Sequence, residues 1–584
     1  MSSDRAKMST PEVEIRTEKP SQHGDGASGL NHPPKQDGET LARRSSTEST
    51  RNYPQGLRLW VIIASLCLTV FLVALDQTII APALGAITTQ FKSVRDIGWY
   101  GAAYLLTATA LQPIYGSIYR NFDIKFTYLS AVIIFEVGSL ICGVAPSSTV
   151  FIIGRAIAGM GSAGLFSGGV VIVAYTLPLR QRPLGLGLIG GMWGIASVAG
   201  PLMGGAFTNN ITWRWCFYIN LPIGGLAIAF IIILLNINRE NNPKNLTYLE
   251  RVLELDLLGA SMLVSAVVCL LLALQWGGTQ FSWNSSQIIG LFVGFVLMGI
   301  IFIGIQIRKG DAGILPPRFF KSKDIVCAMI FSALFGAAFF PLIYYLSLFF
   351  QAVQGNTAVQ AGIKLLPLLL SCVLASIIGG GLITAFSHYN PVVLPSMVMF
   401  TIGCGLITTL DIDPPTREWL GFQVLAGLGL GAGFQIPILV VQATLPLEDV
   451  PVASACVQIF QSLGGAIFIA VAQTVFQNGL ISSIQRDAPQ LDGQIFINSG
   501  ASQIRSILTQ IHQEQALDAV LNAYLVGLRH SYFISVGCAA GTFFAAACLS
   551  WTSIKGKTAV IEDGASAPTG VAVATSNKNG EGRD

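Results

Sequence analysis

Three ionisable residues of this 584-residue sequence stand inside long apolar runs: Asp76 in FLVALDQTIIAPAL, Glu136 in AVIIFEVGSL and Arg155 in FIIGRAIAGMG. A charge at the centre of a bilayer costs about 3 kcal/mol on insertion scales, so a retained one is a functional candidate. Burial and a neighbouring cation act in opposite directions on a carboxylate's affinity for protons. An acid placed near Arg155 is therefore suited to proton coupling. The competing role for each of the three is a satisfied polar network that only fixes helix register. Uncharged polar residues recur in other apolar runs, namely Gln112, Gln275, Gln435, Gln442, Gln458 and Gln461. Together they suit a substrate path, and each could instead serve as an interhelical hydrogen-bond partner.

The elements that must carry these residues follow from composition. The chain is 52% hydrophobic and 11% charged, whereas soluble domains carry about a quarter charged residues. Such a chain belongs in a lipid bilayer. Runs of about 20 mostly apolar residues are the expected spans, and fourteen occur: 59–87, 98–119, 126–145, 149–176, 185–207, 216–236, 256–275, 287–307, 326–350, 362–385, 391–410, 418–441, 452–477 and 531–552. Backbone groups in lipid must be satisfied internally, and these runs are too long and too uniform for barrel strands. The expected fold is all-α and polytopic. Residues 1–55 and 556–584 are polar and read as disordered cytosolic tails. Residues 478–530 carry Ile504, Ile507, Leu508, Ile511, Leu517, Val520 and Leu521 at helical spacing among polar residues, and read as an external loop with an amphipathic helix.

With the N-terminus in the cytosol, Arg43, Arg44, Arg58, Arg120, Lys125, Arg180, Arg182, Arg239, Arg308, Lys309 and Arg318 fall inside, against Lys92, Arg95, Arg214 and Arg417 outside. That bias favours both ends in the cytosol, while the loops near His388 and Glu448 carry almost no basic residues and leave an odd helix count open on charge alone. Asn210 and Asn284 then lie in outward sequons as glycosylation candidates. The formal net charge of +3, with basic residues spread over loops, gives nucleic-acid binding no support. The ten cysteines include no CxxC pair and read as small buried apolar residues.

Several motifs are decoys. GMGSAG (Gly159 to Gly164) and GLGLIG (Gly185 to Gly190) match the dinucleotide pattern GxGxxG, yet neither follows a strand; within apolar helices such glycines permit close packing. GKT at Gly556 to Thr558 lacks the leading glycine of a phosphate loop, since Trp551 stands there. Neither HExxH nor GxSxG occurs in the hydrophilic parts. An enzyme is not expected, and neither is a metal, a cofactor or ATP as energy source.

ALDQTIIAPAL (Ala74 to Leu84), GRAIAGMGSAG (Gly154 to Gly164), GPLMGG (Gly200 to Gly205) with Gly194 upstream, WRWCFYINLPIGG (Trp213 to Gly225) and LELDLLGA (Leu253 to Ala260) occur in that order. In these motifs the chain resembles the fourteen-helix drug:proton antiporters of the major facilitator superfamily, and within them the fungal branch that exports toxins and other secondary metabolites. The resemblance covers about residues 57–552. It implies a six-plus-two-plus-six arrangement: one bundle over 56–237, two inserted helices within 238–325, and a second bundle over 326–555. It also implies Asp76 and Arg155 as proton-coupling residues, with Glu136 in support. Gly194, Gly200, Pro201, Gly204 and Gly205 form a thin, bent hinge helix, and Trp213, Trp215 and Tyr218 anchor its outer end while Arg214 stays in water.

Two positions depart from the family pattern. Ala158 stands where Gln is usual. The loop GSIYRNFDIK (Gly116 to Lys125) has Arg120 in place of the usual Asp, with Asp123 as a local substitute. The implied function is a proton-driven exporter of a small amphiphilic molecule, monomeric, in the plasma membrane or alternatively the vacuolar membrane, with multidrug resistance a related role. Iron-siderophore or basic amino-acid transport within the same superfamily is the first alternative. A sensor or scaffold that signals through its tails is the second.

Overall fold

The computed structural model describes residues 53–93, 96–235, 255–278, 281–498 and 504–554. Every expected apolar run forms helix. In the first half these are α1 Gly56–Thr78, α2 Ile80–Phe91, α3 Ile97–Asn121, α4 Ile124–Val144, α5 Ser148–Thr176, α6 Arg182–Asn210, α7 Trp215–Tyr218 and α8 Asn220–Leu234. A pair follows, α9 Leu257–Trp276 and α10 Ser286–Lys309. The second half comprises α11 Lys323–Leu348, α12 Ala358–Lys364, α13 Leu366–Phe386, α14 Asn390–Ile407, α15 Thr416–Gly433, α16 Ile436–Thr444, α17 Val450–Asp487, α18 Gly493–Asn498, α19 Ile504–Gln510 and α20 Leu517–Ala547. Among the described residues no strand forms, and one isolated bridge joins Gly277 to Phe281.

Among the described residues, twelve helical segments are long and apolar enough to cross a membrane. The 25-residue α3 and the 31-residue α20 have the length but not the same apolar character. Short polar caps start several helices. Asp123 accepts from Phe126 N at 3.0 Å, Asp256 from Gly259 N at 2.9 Å and Ser285 from Ile288 N at 3.4 Å, each satisfying an otherwise orphaned amide.

The expected external loop at 478–530 is a correction. The helix α17 continues through Asp487 and α20 starts at Leu517, so both helices project past the hydrocarbon thickness. Among the described residues, α18, α19 and a 3-10 turn at Glu514–Ala516 lie between them, with Ile504 and Leu508 buried. Polar residues on the projecting turns had disguised them as loop.

Within the first half α4 and α3 pack on α5, and α1 packs on α6 and α8; within the second, α11 packs on α17 and α20, and α15 on α13 and α14. The halves meet where α6 lies on α13 and α3 on α17. Small residues allow that approach. A Cβ on Gly116 would come 2.8 Å from Ala455 Cβ, and one on Gly380 would come 2.5 Å from the Pro183 carbonyl oxygen. The inserted pair is peripheral: α9 covers α3 and α17 through Val267 against Ala110 and Ile459, while α10 is 11% buried over its apolar window against 78% for α5.

Candidate functional site

The membrane-embedded charges gather in the first half. Arg155, on α5, and Asp76, near the end of α1, are 1% and 0% exposed and form an ion pair through Arg155 Nη1 and Asp76 Oδ2. Arg155 Nε donates to the Tyr100 carbonyl at 2.9 Å, and its guanidinium lies 4.4 Å from the Tyr104 ring centroid. The second Asp76 oxygen accepts from Asn220 Nδ2 at 3.4 Å, and Asn220 also donates to Ser139 Oγ at 3.1 Å. Each charge thus has partners, the condition under which a buried pair is tolerated. Glu136 sits beside them, 8% exposed, and neither of its carboxylate oxygens has a hydrogen-bond partner among the described residues.

The sequence singled out Asp76 and Arg155, leaving open which acid lies beside the arginine, but missed Asn220. Its signal was a polar residue inside YINLPIGG, where the aromatic residues drew attention instead.

Three residues beyond Asp76, the helix is interrupted at Ile79. That interruption lies against the candidate hinge. Thr78 Oγ1 donates to the Ala196 carbonyl at 3.0 Å, a Cβ on Gly200 would come 2.1 Å from Thr78 Oγ1, and one on Gly204 would come 2.4 Å from the Ile79 carbonyl oxygen. Gly194 faces the other half, where a Cβ would come 1.9 Å from Val373 Cγ2. Pro201 lies inside α6 beside Gly362 of α12. Gly205 has no neighbour within 4 Å of a notional Cβ, so close packing does not require it.

The glutamines divide. Gln112 Nε2 donates to Gln458 Oε1 at 2.7 Å across the two halves, Ser167 Oγ lies 3.5 Å from the same oxygen, and Gln442 Nε2 donates to the Val170 carbonyl at 3.4 Å. Gln435 lies at the break between α15 and α16, beside Gly190 of α6. Gln435 Oε1, Gln442 Oε1, Gln458 Nε2 and Trp193 Nε1 are buried without a partner among the described residues. Gln461 is one turn along from Gln458, and its backbone carbonyl faces Gly336 of α11. Gln275 does not join them. It ends α9 next to Trp276, whose ring meets Trp99 with centroids 6.0 Å apart.

The expected outer anchor needs correction as well. Trp213 is 4% exposed, packed among Phe91, Phe151 and Phe217, with Nε1 donating to Gln90 Oε1 at 2.7 Å. An indole with a protein acceptor and an aromatic shell has no need of the interface. Arg214 donates to the carbonyls of Gly143 and Ala145 at 2.6 and 3.0 Å, capping the end of α4. Trp215, 42% exposed, fits the interfacial expectation. Asn284 is exposed.

Comparison with known families decides the class: residues 66–469 match the Major Facilitator Superfamily. The chain belongs to that superfamily. It is a membrane transporter, not an enzyme. Among curated relatives, the "MFS-type efflux pump MFS1" of Trichophyton rubrum is 46% identical over 524 residues, covering 89% of this chain and 97% of the relative. "Efflux pump aflT" of Aspergillus parasiticus is 43% identical over 501 residues, covering 86% and 97%, and "Efflux pump roqT" of Penicillium rubens is 43% identical over 500 residues, covering 85% and 92%. Solved structures share the fold: the human organic anion transporter MFSD10 at TM-score 0.54 and 14% identity, covering 84% of this chain and 100% of that one; and the proton:xylose symporter XylE at TM-score 0.53 and 12% identity, covering 85% and 98%.

In this superfamily member the altered loop after α3 acquires different partners. Arg120 Nη1 donates to the Asp311 carbonyl at 3.4 Å, and Arg318 reaches Asp449 at 2.6 Å and Asp311 at 3.6 Å. Burial pushes the Asp449 carboxyl above its usual range, although Arg318 and Arg120 oppose the shift. Asp123 does not substitute for the missing acid, because its carboxylate is the cap of α4. Tyr175 Oη donates to the Leu447 carbonyl at 3.3 Å and Arg180 Nε to the Thr384 carbonyl at 3.4 Å. These contacts tie the halves together at the face where α1 starts.

Proposed function

We propose that this transporter is a proton-coupled exporter in which protons enter as a small amphiphilic molecule leaves, by alternating access between two six-helix halves. The observation that carries the reading is the buried Asp76–Arg155 pair, placed beside the α1 interruption and against Gly200 and Gly204 of α6. A change in the charge state of that region is felt at Ile79, and α6 carries it to α13 of the other half. The relatives named efflux pumps support a toxin or other secondary metabolite as cargo.

In this arrangement the twelve apolar segments together with α3 and α20 make fourteen spans, ordered six, two and six over 56–237, 238–325 and 326–555, with the face where α1 starts in the cytosol. The protein acts as a monomer in the plasma membrane, driven by the proton gradient without ATP, and Asn284 is the favoured glycosylation position.

The test is deletion of the gene in its native host, with untargeted mass spectrometry of cells and medium, and a protonophore added to wild type. Retention of one compound class in the mutant, copied by the protonophore, supports export and names the cargo. Failure of an external compound to enter the mutant would reverse the direction and favour the siderophore or basic amino-acid alternative.

A further inference from the structure

The seam between α4 and α8 holds three buried acceptor atoms that no donor reaches among the described residues. Glu136 and Ser139 are three residues apart on α4, and Asn220 and Gly224 four apart on α8, so each pair shares a helix face. The two faces meet: Asn220 Nδ2 donates to Ser139 Oγ at 3.1 Å, and a Cβ on Gly224 would come 1.7 Å from Glu136 Oε1. Gly224 therefore leaves a notch that the Glu136 carboxyl fills. Glu136 Oε1, Glu136 Oε2 and Asn220 Oδ1 are buried, and none has a partner among the described residues. Asn220 is 0% exposed and Glu136 8%. An ionised carboxylate there would be an uncompensated buried charge, the costliest polar arrangement a protein interior can hold.

No cation on the neighbouring elements is available to Glu136. Arg155 on α5 is committed to Asp76 and the Tyr100 carbonyl. Tyr100 on α3 donates to Ser148 and Tyr104 to the Val73 carbonyl; Tyr218 on α7 donates to the Gly143 carbonyl. Cys142 on α4 and Cys216 on α7 are buried thiols, and α8 carries no titratable side chain. Asp76, from α1, is the remaining charge, and it is negative.

We propose that the Glu136 carboxyl in this Asn220–Gly224 notch is the transporter's proton-carrying site, with Asp76–Arg155 as the fixed pair beside it. The proposal rests on the proton-coupled reading above. Loading is a simple protonation: the carboxylate takes a proton from hydronium on the acidic side, leaving water, and the acid returns that proton to water on the other side. A proton at Asp76 instead would strand Arg155 without its counter-charge. A proton on Glu136 supplies the donor that the seam lacks and removes the only unpaired charge of the first bundle's interior among the described residues.

The test is difference infrared spectroscopy of the full chain in lipid nanodiscs, titrated from neutral to alkaline pH. Glutamate labelled with carbon-13 in its side-chain carboxyl identifies the band without mutation. The expected result is a carboxylic-acid carbonyl band at neutral pH that shifts with the label, disappears in Glu136→Gln and persists in Asp76→Asn. Gln has the size and the donor of the protonated acid, so the variant keeps the fold. An absent band in wild type, a band unmoved by labelled glutamate, or one that survives Glu136→Gln would each overturn the proposal. Cargo is not needed for this measurement. An unchanged metabolite profile on gene deletion would count against export and leave the proton site standing, while a missing band would leave export standing with its proton elsewhere.

Discussion

The two halves of the molecule solve the membrane problem differently. The first half keeps Asp76, Glu136 and Arg155 inside the bundle; Asp76 and Arg155 hold each other with help from Asn220 and the Tyr100 carbonyl, while neither Glu136 oxygen has a partner among the described residues. Among the described residues of the second half, charged side chains fall near helix ends, apart from Arg529 on α20, which bonds Asp411 beyond α14. Its interior is aromatic: Phe335 meets Phe331, Phe339, Phe400 and Phe434 with centroids 5.7 to 6.4 Å apart. The difference points to a division of labour. On the proton-coupled reading proposed above, the charged bundle senses protons, the aromatic bundle offers a wall to an apolar cargo, and the α6–α13 and α3–α17 contacts connect them.

The largest effect should come from breaking the pair in the charged half. Arg155→Leu leaves Asp76 buried and uncompensated, which costs about 3–5 kcal/mol. The melting temperature of the purified protein should fall steeply, and adding Asp76→Asn should restore most of it without restoring transport. Wild-type melting of Arg155→Leu would mean that the charged bundle does not depend on its charges.

The next effect tests the connection. Gly200→Ala drives a methyl into Thr78 at the α1 interruption, an overpacking of about 1–3 kcal/mol. Gly205→Ala, five residues on in the same motif, meets open space. Export by the first should collapse while export by the second stays at the wild-type level. Equal behaviour of the two would detach the motif from α1.

A smaller effect is expected on the aromatic side. Phe434 lies 5.9 Å from Phe335 and 6.3 Å from Phe339 between centroids, and losing such contacts costs about 0.5–1.5 kcal/mol. For Phe434→Ala the transport KM should rise by up to about tenfold, with the protonophore sensitivity unchanged. Altered proton coupling in this variant would erase the division between the halves.

Much of this arrangement was legible in the sequence because lipid leaves few choices. A long apolar run can only be a helix there, and a charge inside such a run must find a partner or pay the full cost of burial. An acid beside Arg155 and a close neighbour for the thin helix at Gly200 were readable for that reason, but which acid and which neighbour were not. Asn220 was not, since a lone amide in an apolar run carries no cost large enough to mark it. Trp213 was misread because aromatic residues suit both interfaces and cores, and only the positions of Phe91, Phe151 and Gln90 choose between them. The long ends of α17 and α20 were missed because helices projecting from the bilayer lose the apolar signature that announced the rest. The partners of Arg120 lie in the Asp311 and Asp449 loops, distant in sequence and common in type, so spacing gave no sign of them.

The inserted pair supplies the control for this comparison, since it belongs to neither half. Asp256 joins its two helices by accepting from Gly259 N, from Gln306 Nε2 at 2.6 Å and from Lys309 Nζ at 3.1 Å. Burial alone would raise the Asp256 carboxyl, but those donors outweigh it and hold it below its ordinary value. A carboxylate depressed on folding stabilises the protein above the ordinary carboxylate pKa of about 4, and that contribution is lost as pH falls through the folded value. Asn at this position keeps the helix cap but removes both the charge and the acceptor of Gln306 Nε2, so Asp256→Asn should cost about 1–2 kcal/mol at neutral pH, chiefly from the lost hydrogen bond, since Lys309 is partly exposed to solvent. The melting difference from wild type should narrow on acidification, where the wild-type carboxyl is protonated and its charge contribution is gone as well. Transport should not change at any pH, because α10 faces outward and α9 only covers the junction of α3 and α17. Loss of transport in Asp256→Asn on the scale of Gly200→Ala would place the inserted pair inside the coupling machinery, and the labour would then be divided among three bodies instead of two.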